Sequence, residues 1–287
     1  VGPVALALVL TAAVLHALWN YAAKGVTQDR VLFVWLFATL SAAIWMPVAV
    51  VWMLASHERP QWTWLGAATV SAALHITYNL VLQRGYAEGD LNLVYPIARG
   101  TGPLLTFVVA VSVLGERPGV VGALGVSLVV VGVLMISWTP RDLHRPGARA
   151  GITWGALTGV TIAAYTLWDS HVVTDLGVPP VTYFVLGLLC QVPSLTAMTG
   201  SRIRGVRRAW PTMGRRALVV ALLSPLAYIL VLRAMQVAPV SLVAAARESS
   251  IVIGALLGWF ALGEARGAHR LAGSAVVALG IAAIVVG

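Results

Sequence analysis

Apolar residues run through this chain in long blocks, cut by short polar or Gly/Pro-rich breaks, from one end to the other. Such blocks match the roughly 20 residues that an α-helix needs to cross a bilayer core about 30 Å thick. The pattern predicts ten helical spans. The first five are Pro3–Lys24, Val31–Ala55, Thr63–Gly85, Leu91–Leu114 and Gly119–Ser137. The second five are Gly151–Leu176, Pro179–Thr199, Ala217–Met235, Ala238–Leu262 and His269–Gly287. A transmembrane barrel would instead alternate apolar and polar residues in segments of about 10. Val1-Gly2-Pro3 provides no basic stretch ahead of the first block, so that block is expected to be a helix and not a cleaved signal.

Composition sharpens this picture. The 287 residues are 59% hydrophobic and 10% charged, whereas soluble domains carry about 25% charged residues. Mean hydropathy is +0.89. Ten spans of about 20 residues leave little beyond connections, which excludes a soluble catalytic domain. Cys190 is the single cysteine, too few for a disulfide framework or a thiolate metal cluster. The net charge of +9 could suggest nucleic acid, but arginines between hydrophobic spans read as topology signals, and no nucleic-acid partner is expected.

Those signals are one-sided. The connections after spans 1, 3, 5, 7 and 9, with the adjoining helix ends, hold Lys24, Arg30, Arg84, Arg141, Arg145, Arg149, Arg202, Arg204, Arg207, Arg208, Arg215, Arg216, Arg266 and Arg270. The other side has only Arg59, Arg117 and Arg233. The positive-inside rule makes the first side cytoplasmic and places both termini outside.

The chain also repeats itself at an interval of 148–149 residues. Leu18-Trp19-Asn20 returns as Leu167-Trp168-Asp169, Arg84 as Arg233, and Arg99 as Arg247. Leu114-Gly115-Glu116 returns as Leu262-Gly263-Glu264, and Gly125 and Gly132 return as Gly273 and Gly280. Five spans per copy is an odd number, so the second copy enters from the opposite face. Inverted repeats with a site near the midplane are the layout of many secondary transporters. The expected division is a first repeat over residues 1–137, a cytoplasmic linker over 138–150 and a second repeat over 151–287.

The five-plus-five arrangement and the Leu-Gly-Glu endings resemble the EamA-type transporters of the drug/metabolite transporter superfamily. So do Tyr95-Pro96-Ile97-Ala98-Arg99-Gly100 and Ala246-Arg247-Glu248-Ser249-Ser250. The resemblance implies an all-α, multi-pass membrane protein with ten helices around a central cavity lined by helices other than 5 and 10. It implies a carrier of small organic metabolites, often an exporter, acting by alternating access in the inner or plasma membrane.

Ionisable side chains deep in a bilayer cost at least about 2.5–3.5 kcal/mol, so they mark candidate sites. Arg99, Asp169, Arg247 and Glu248 qualify. Arg99 and Arg247 lie about 12–15 Å along their spans at 1.5 Å per residue, near the midplane. They could bracket one anionic group, while Glu248 and Asp169 are candidates to carry a proton. The structural alternative is a set of ion pairs locking helices together. His16 and Asn20 share one helix face, as do His75 and Asn79, and their repeat mates are Tyr165 with Asp169 and Ser224 with Tyr228. Trp19, Tyr78, Tyr95 and Trp168 could add aromatic walls. Only two histidines belong to the cluster, so neither a metal site nor a cofactor is expected. Pro96, Pro103 and Pro225 fall inside spans, where a kink or hinge is expected. Seven-residue glycine spacing in helices 5 and 10 suits close packing, with a homodimer through these helices as a further expectation.

No nucleotide-binding loop and no nucleophile–base constellation is present, so a secondary transporter is expected and not an enzyme. Four central charges that sum to zero fit an amino-acid-like zwitterion, or a small organic or phosphorylated anion moved with a proton or a counter-substrate. A flippase for a lipid-linked or amphipathic substrate is the alternative. Membrane lipids are the remaining expected partner. The charge asymmetry makes a testable forecast: a cysteine at Arg207 is labelled from the cytoplasmic side and one at Glu58 is not. The reverse pattern would overturn the topology.

Overall fold

The computed structural model describes residues 2–24, 26, 29–137, 147–262 and 268–287, and among these it is helical without strands. In chain order the helices are α1 Pro3–Lys24, α2 Arg30–Ala55, α3 Trp62–Glu88, α4 Leu91–Ser112 and α5 Gly119–Ser137. The second half contributes α6 Ala148–Thr174, α7 Pro180–Thr199, α8 Val206–Met235, α9 Val240–Ala246, α10 Ser249–Leu262 and α11 Ala268–Val286. A 3-10 turn, Gly200–Gly205, joins α7 to α8. Most of linker 138–150, the second Gly263-Glu264 and the basic residues Arg141, Arg145 and Arg266 lie outside the described residues.

Eight segments of the described chain are long and apolar enough to cross a membrane. One of them, Pro180–Met235, contains both α7 and α8, and Leu271–Val286 is a shorter apolar helix beside the eight. Helices are the natural form here, because only intrahelical bonds satisfy every backbone amide away from water.

One expectation about continuity is corrected. The ninth span is two helices, with the break at Arg247-Glu248. No proline or glycine stands between Val240 and Ser250 to cause it. Instead the turn tightens. Glu248 N–H donates to the Ala245 carbonyl at 3.0 Å, Ser250 N–H to Arg247 at 3.2 Å and Ile251 N–H to Glu248 at 2.9 Å. These are i→i−3 bonds, and such mid-helix tightening often marks a hinge. The prolines behave oppositely: α4 runs through Pro96 and Pro103, and α8 through Pro225, without interruption. The eighth helix also starts eleven positions before the expected Ala217, because its basic first turns are helical though too polar to be read as a span.

The two halves are interleaved. Helix α1 packs on α8 and α10, α3 on α6 and α7, α2 on α7 and α8, and α4 on α6. Exchanging the halves maps α1–α8 onto α6–α3, α2–α8 onto α7–α3 and α4–α6 onto α10–α1, and leaves α2–α7 as it is. The Leu-Gly-Glu ending reinforces this crossing. Gly115 takes a left-handed φ of +72°, which glycine adopts without steric cost. The chain is thereby turned so that Glu116 receives the Val240 and Ser241 amides at 2.7 and 3.1 Å, capping the start of α9. A carboxylate there also complements the positive end of the helix dipole.

Helices α5 and α11 form the most extensive pairing, through the expected glycines. A Cβ on Gly125 would meet the Gly280 carbonyl oxygen at 2.7 Å, and one on Gly132 the Val277 amide nitrogen at 2.7 Å. Backbone blocks both positions, so nothing larger than hydrogen fits without parting the helices. Gly132→Leu is therefore expected to cost about 1–3 kcal/mol or more of stability, whereas Val131→Leu, on the exposed face, is expected to cost almost nothing. Equal melting temperatures for the two variants in detergent would refute the close-packing account.

Candidate functional site

Asp169 on α6 is fully buried and ties four helices together. Oδ1 accepts from the Ser71 hydroxyl of α3 and the Tyr183 hydroxyl of α7, both at 2.6 Å. Oδ2 accepts from the Tyr228 hydroxyl of α8. His75 of α3 presents Nε2 to Oδ2 at 3.8 Å. Three charge-assisted bonds, each worth about 1.5–3 kcal/mol, offset the burial of the carboxylate. The neighbouring Trp168 also reaches α3, donating from Nε1 to the Ala67 carbonyl at 3.0 Å.

An aromatic layer continues from this cluster. The Tyr165 ring stacks on His75 with centroids 4.3 Å apart, and Tyr78 meets Tyr165 edge-on at 5.5 Å. Tyr228 meets His75 edge-on at 5.6 Å. Tyr78 and Tyr228 also pack against a small buried core of Ala98, Ile162 and Tyr165, joining α3, α4, α6 and α8.

The second centre lies at the α9–α10 break. Glu248 is 1% exposed and opposes Arg99 of α4, with Arg99 Nε 2.8 Å from Glu248 Oε2. The two atoms are at ion-pair distance but not aligned for a hydrogen bond. Arg99 also donates from Nη2 to Ser250 Oγ at 3.1 Å. Arg247 is different. It is 5% exposed, and its Nε and Nη2 reach no acceptor. Ser249 Oγ, two residues on, is likewise buried without a partner. Almost all buried polar groups in folded proteins are satisfied, and these atoms are among the exceptions. Tyr165, Glu248, Arg99 and Tyr228 surround Arg247 within electrostatic range, and His16 lies within range of both arginines.

The structure thus brings Arg99, Arg247, Glu248, His16, Tyr78, Tyr165 and Tyr228 into one neighbourhood, with His75 and Asp169 beside it. Asn20 and Asn79 sit at its edge in matching poses. Each is exposed and turns its amide onto its own helix, to the His16 carbonyl at 2.7 Å and the His75 carbonyl at 2.9 Å. Trp19 packs edge-on against His16 at 4.9 Å. Tyr95 is exposed on α4. Sequence reasoning missed Ser71, Tyr183 and Ser250. Ser71 could have been found as the i−4 extension of the His75–Asn79 face, and Ser250 from the polar run after Arg247. Tyr183 gave no signal, standing alone in an apolar block.

Among the described residues no group of three or more metal-ligating side chains comes together. No curated protein matches the chain. A solved structure titled only "Crystal structure of protein" superimposes with a TM-score of 0.78 at 15% identity, covering 97% of this chain and 95% of that one. At that identity the match speaks for the fold alone. The profile of the EamA-like transporter family matches residues 149–286, the whole second half. Residues 149–286 are thus similar to the EamA-like transporter family of the drug/metabolite transporter superfamily, a family of multi-pass membrane transporters.

Proposed function

We propose that the protein is a secondary active carrier that moves a small polar metabolite with an anionic group across the inner or plasma membrane, outward, by alternating access. The observation that carries this reading is Arg247: a buried guanidinium with two N–H positions unmet, beside a paired arginine and a tyrosine layer. Guanidinium holds carboxylate or phosphate in a bidentate fork. A cation left bare in the apolar interior is costly, and a bound anion removes that cost.

Arg99 and Glu248 neutralise one another, so the remaining positive charge selects for an anionic group. An amino acid presenting its carboxylate meets this requirement, as does a small organic or phosphorylated acid. The tyrosines and His16 then offer hydroxyl and ring contacts to the rest of the molecule, and Asn20 and Asn79 stand at the approach. Pairings that map onto one another when the halves are exchanged support ten crossings in a five-plus-five inverted repeat around a central cavity. In such a fold, rocking one bundle against the other exposes the same site to each side in turn. The tightened α9–α10 turn lies at the site itself. A homodimer, if formed through α5 and α11, would use outer faces such as Val131 and Leu279, because the glycine faces already cover each other.

The two arginines make opposite forecasts. Arg99→Ala strands Glu248 without its counter-charge and is expected to destabilise the protein by about 3–5 kcal/mol. Arg247→Ala strands no partner, so melting stays at or above wild type while substrate response disappears. The check is a thermal-shift panel of amino acids, organic acids, phosphorylated acids and amines on purified protein. It is followed by saturable, countertransport-stimulated flux of the stabilising compound in proteoliposomes. Stabilisation by amines alone, or full flux with Arg247→Ala, would sink the reading.

A further inference from the structure

The hydrogen-bond directions around His75 leave one proton position undecided by any neighbour. Nδ1 of His75 lies 3.0 Å from the Ser71 carbonyl oxygen, which can only accept. It also lies 3.3 Å from Ser71 Oγ, whose single proton is directed to Asp169 Oδ1 at 2.6 Å. Both neighbours of Nδ1 therefore act as acceptors, and Nδ1 carries a hydrogen. In neutral His75 the bare lone pair then belongs to Nε2, which faces Asp169 Oδ2 at 3.8 Å.

The carboxylate shows the matching vacancy. Oδ1 has two hydroxyl donors, Ser71 and Tyr183, while Oδ2 has one, Tyr228. A carboxylate oxygen takes about two donors, so the unfilled acceptor position belongs to the oxygen nearest Nε2. Without a proton, two lone-pair groups oppose each other in a buried, low-dielectric site. With one proton between them, repulsion becomes attraction and both vacancies are filled.

We propose that His75 Nε2 and Asp169 Oδ2 form a proton-binding site, holding one proton in common. The proton is taken from water on the side to which the site is open, adds to the Nε2 lone pair, and is returned to water on the other side. No other bond is made or broken. The groups facing the pair are Ser71 and Tyr78 on α3, Tyr165 on α6, Tyr183 on α7 and Tyr228 on α8. Arg247 lies within electrostatic range of Tyr165 and Tyr228, and Arg99 of Tyr78 and Tyr165. Of the two central carboxylates, Glu248 already has a permanent counter-charge in Arg99, whereas Asp169 has hydroxyl dipoles and an imidazole that can change charge. Asp169 and His75 belong to helices of opposite halves, so a proton there draws α3 onto α6. That this proton is coupled to substrate movement rests on the carrier reading given above.

The test uses full-length protein in nanodiscs with 15N-labelled histidine. Of the six histidines, the ring signal absent from His75→Gln is assigned to His75. The expected result is a neutral His75 with its hydrogen on Nδ1 and a pH titration in which Nε2 gains the second hydrogen. The midpoint should be displaced by at least one pH unit in Asp169→Asn, a tenfold change in proton affinity. Tyr183→Phe, which removes one donor from Oδ1 and leaves the carboxylate, is expected to displace it less, and serves if Asp169→Asn does not fold. A neutral His75 with its hydrogen on Nε2, or a midpoint unmoved by both substitutions, would overturn the proposal. The spectra need no transport, so the proton site and the carrier reading stand or fall separately.

Discussion

Charge cannot remain in an apolar interior without a counter-group, and the architecture of the central region follows from that constraint. Asp169 is held by hydroxyls drawn from α3, α7 and α8, so its neutral donors fix the mutual positions of four helices. Arg99 and Glu248 fix α4 against the α9–α10 turn. Between these two anchored centres stands Arg247, whose requirement the protein itself does not meet. Arg99 has its counter-charge in Glu248, and Arg247, on the turn beside it, does not share that pairing.

The helices can hold such a region because the halves interpenetrate. Helix α1 belongs in packing terms to α8 and α10, and α3 to α6 and α7. Glu116 is donated from one half to start a helix in the other. The centre is therefore built from both halves at once, with the glycine-tight α5–α11 pair at its flank. Neither half could shift as a unit without changing the distance between His75 and Asp169, or between Arg99 and Glu248.

Much of this was readable in the chain, for reasons that differ by residue. Apolar blocks give span positions directly, since burial in lipid admits few exceptions, and Gly125, Gly132, Gly273 and Gly280 announced a close pairing by spacing alone. The four buried charges were legible because they are costly and rare. Which charge pairs with which was not legible: Glu248 facing Arg99, with Arg247 left over, depends on the tightened turn, and that turn has no proline or glycine to mark it. Tyr183 was invisible for another reason. A single tyrosine in an apolar block reads equally well as a lipid-interface residue, and only the fold shows its hydroxyl on Asp169. The basic start of α8 escaped because hydropathy reports where lipid begins and not where a helix begins.

The α5–α11 pairing has a consequence for how the protein is made. Helix α5 leaves the ribosome well before α11, so their pairing waits until the helices between them have been made. Until then α5 presents its backbone groove with Gly125 and Gly132 uncovered. The Glu116 carboxylate waits in the same interval for the amides of α9. A chain that stalls before α11 is made therefore keeps this seam open.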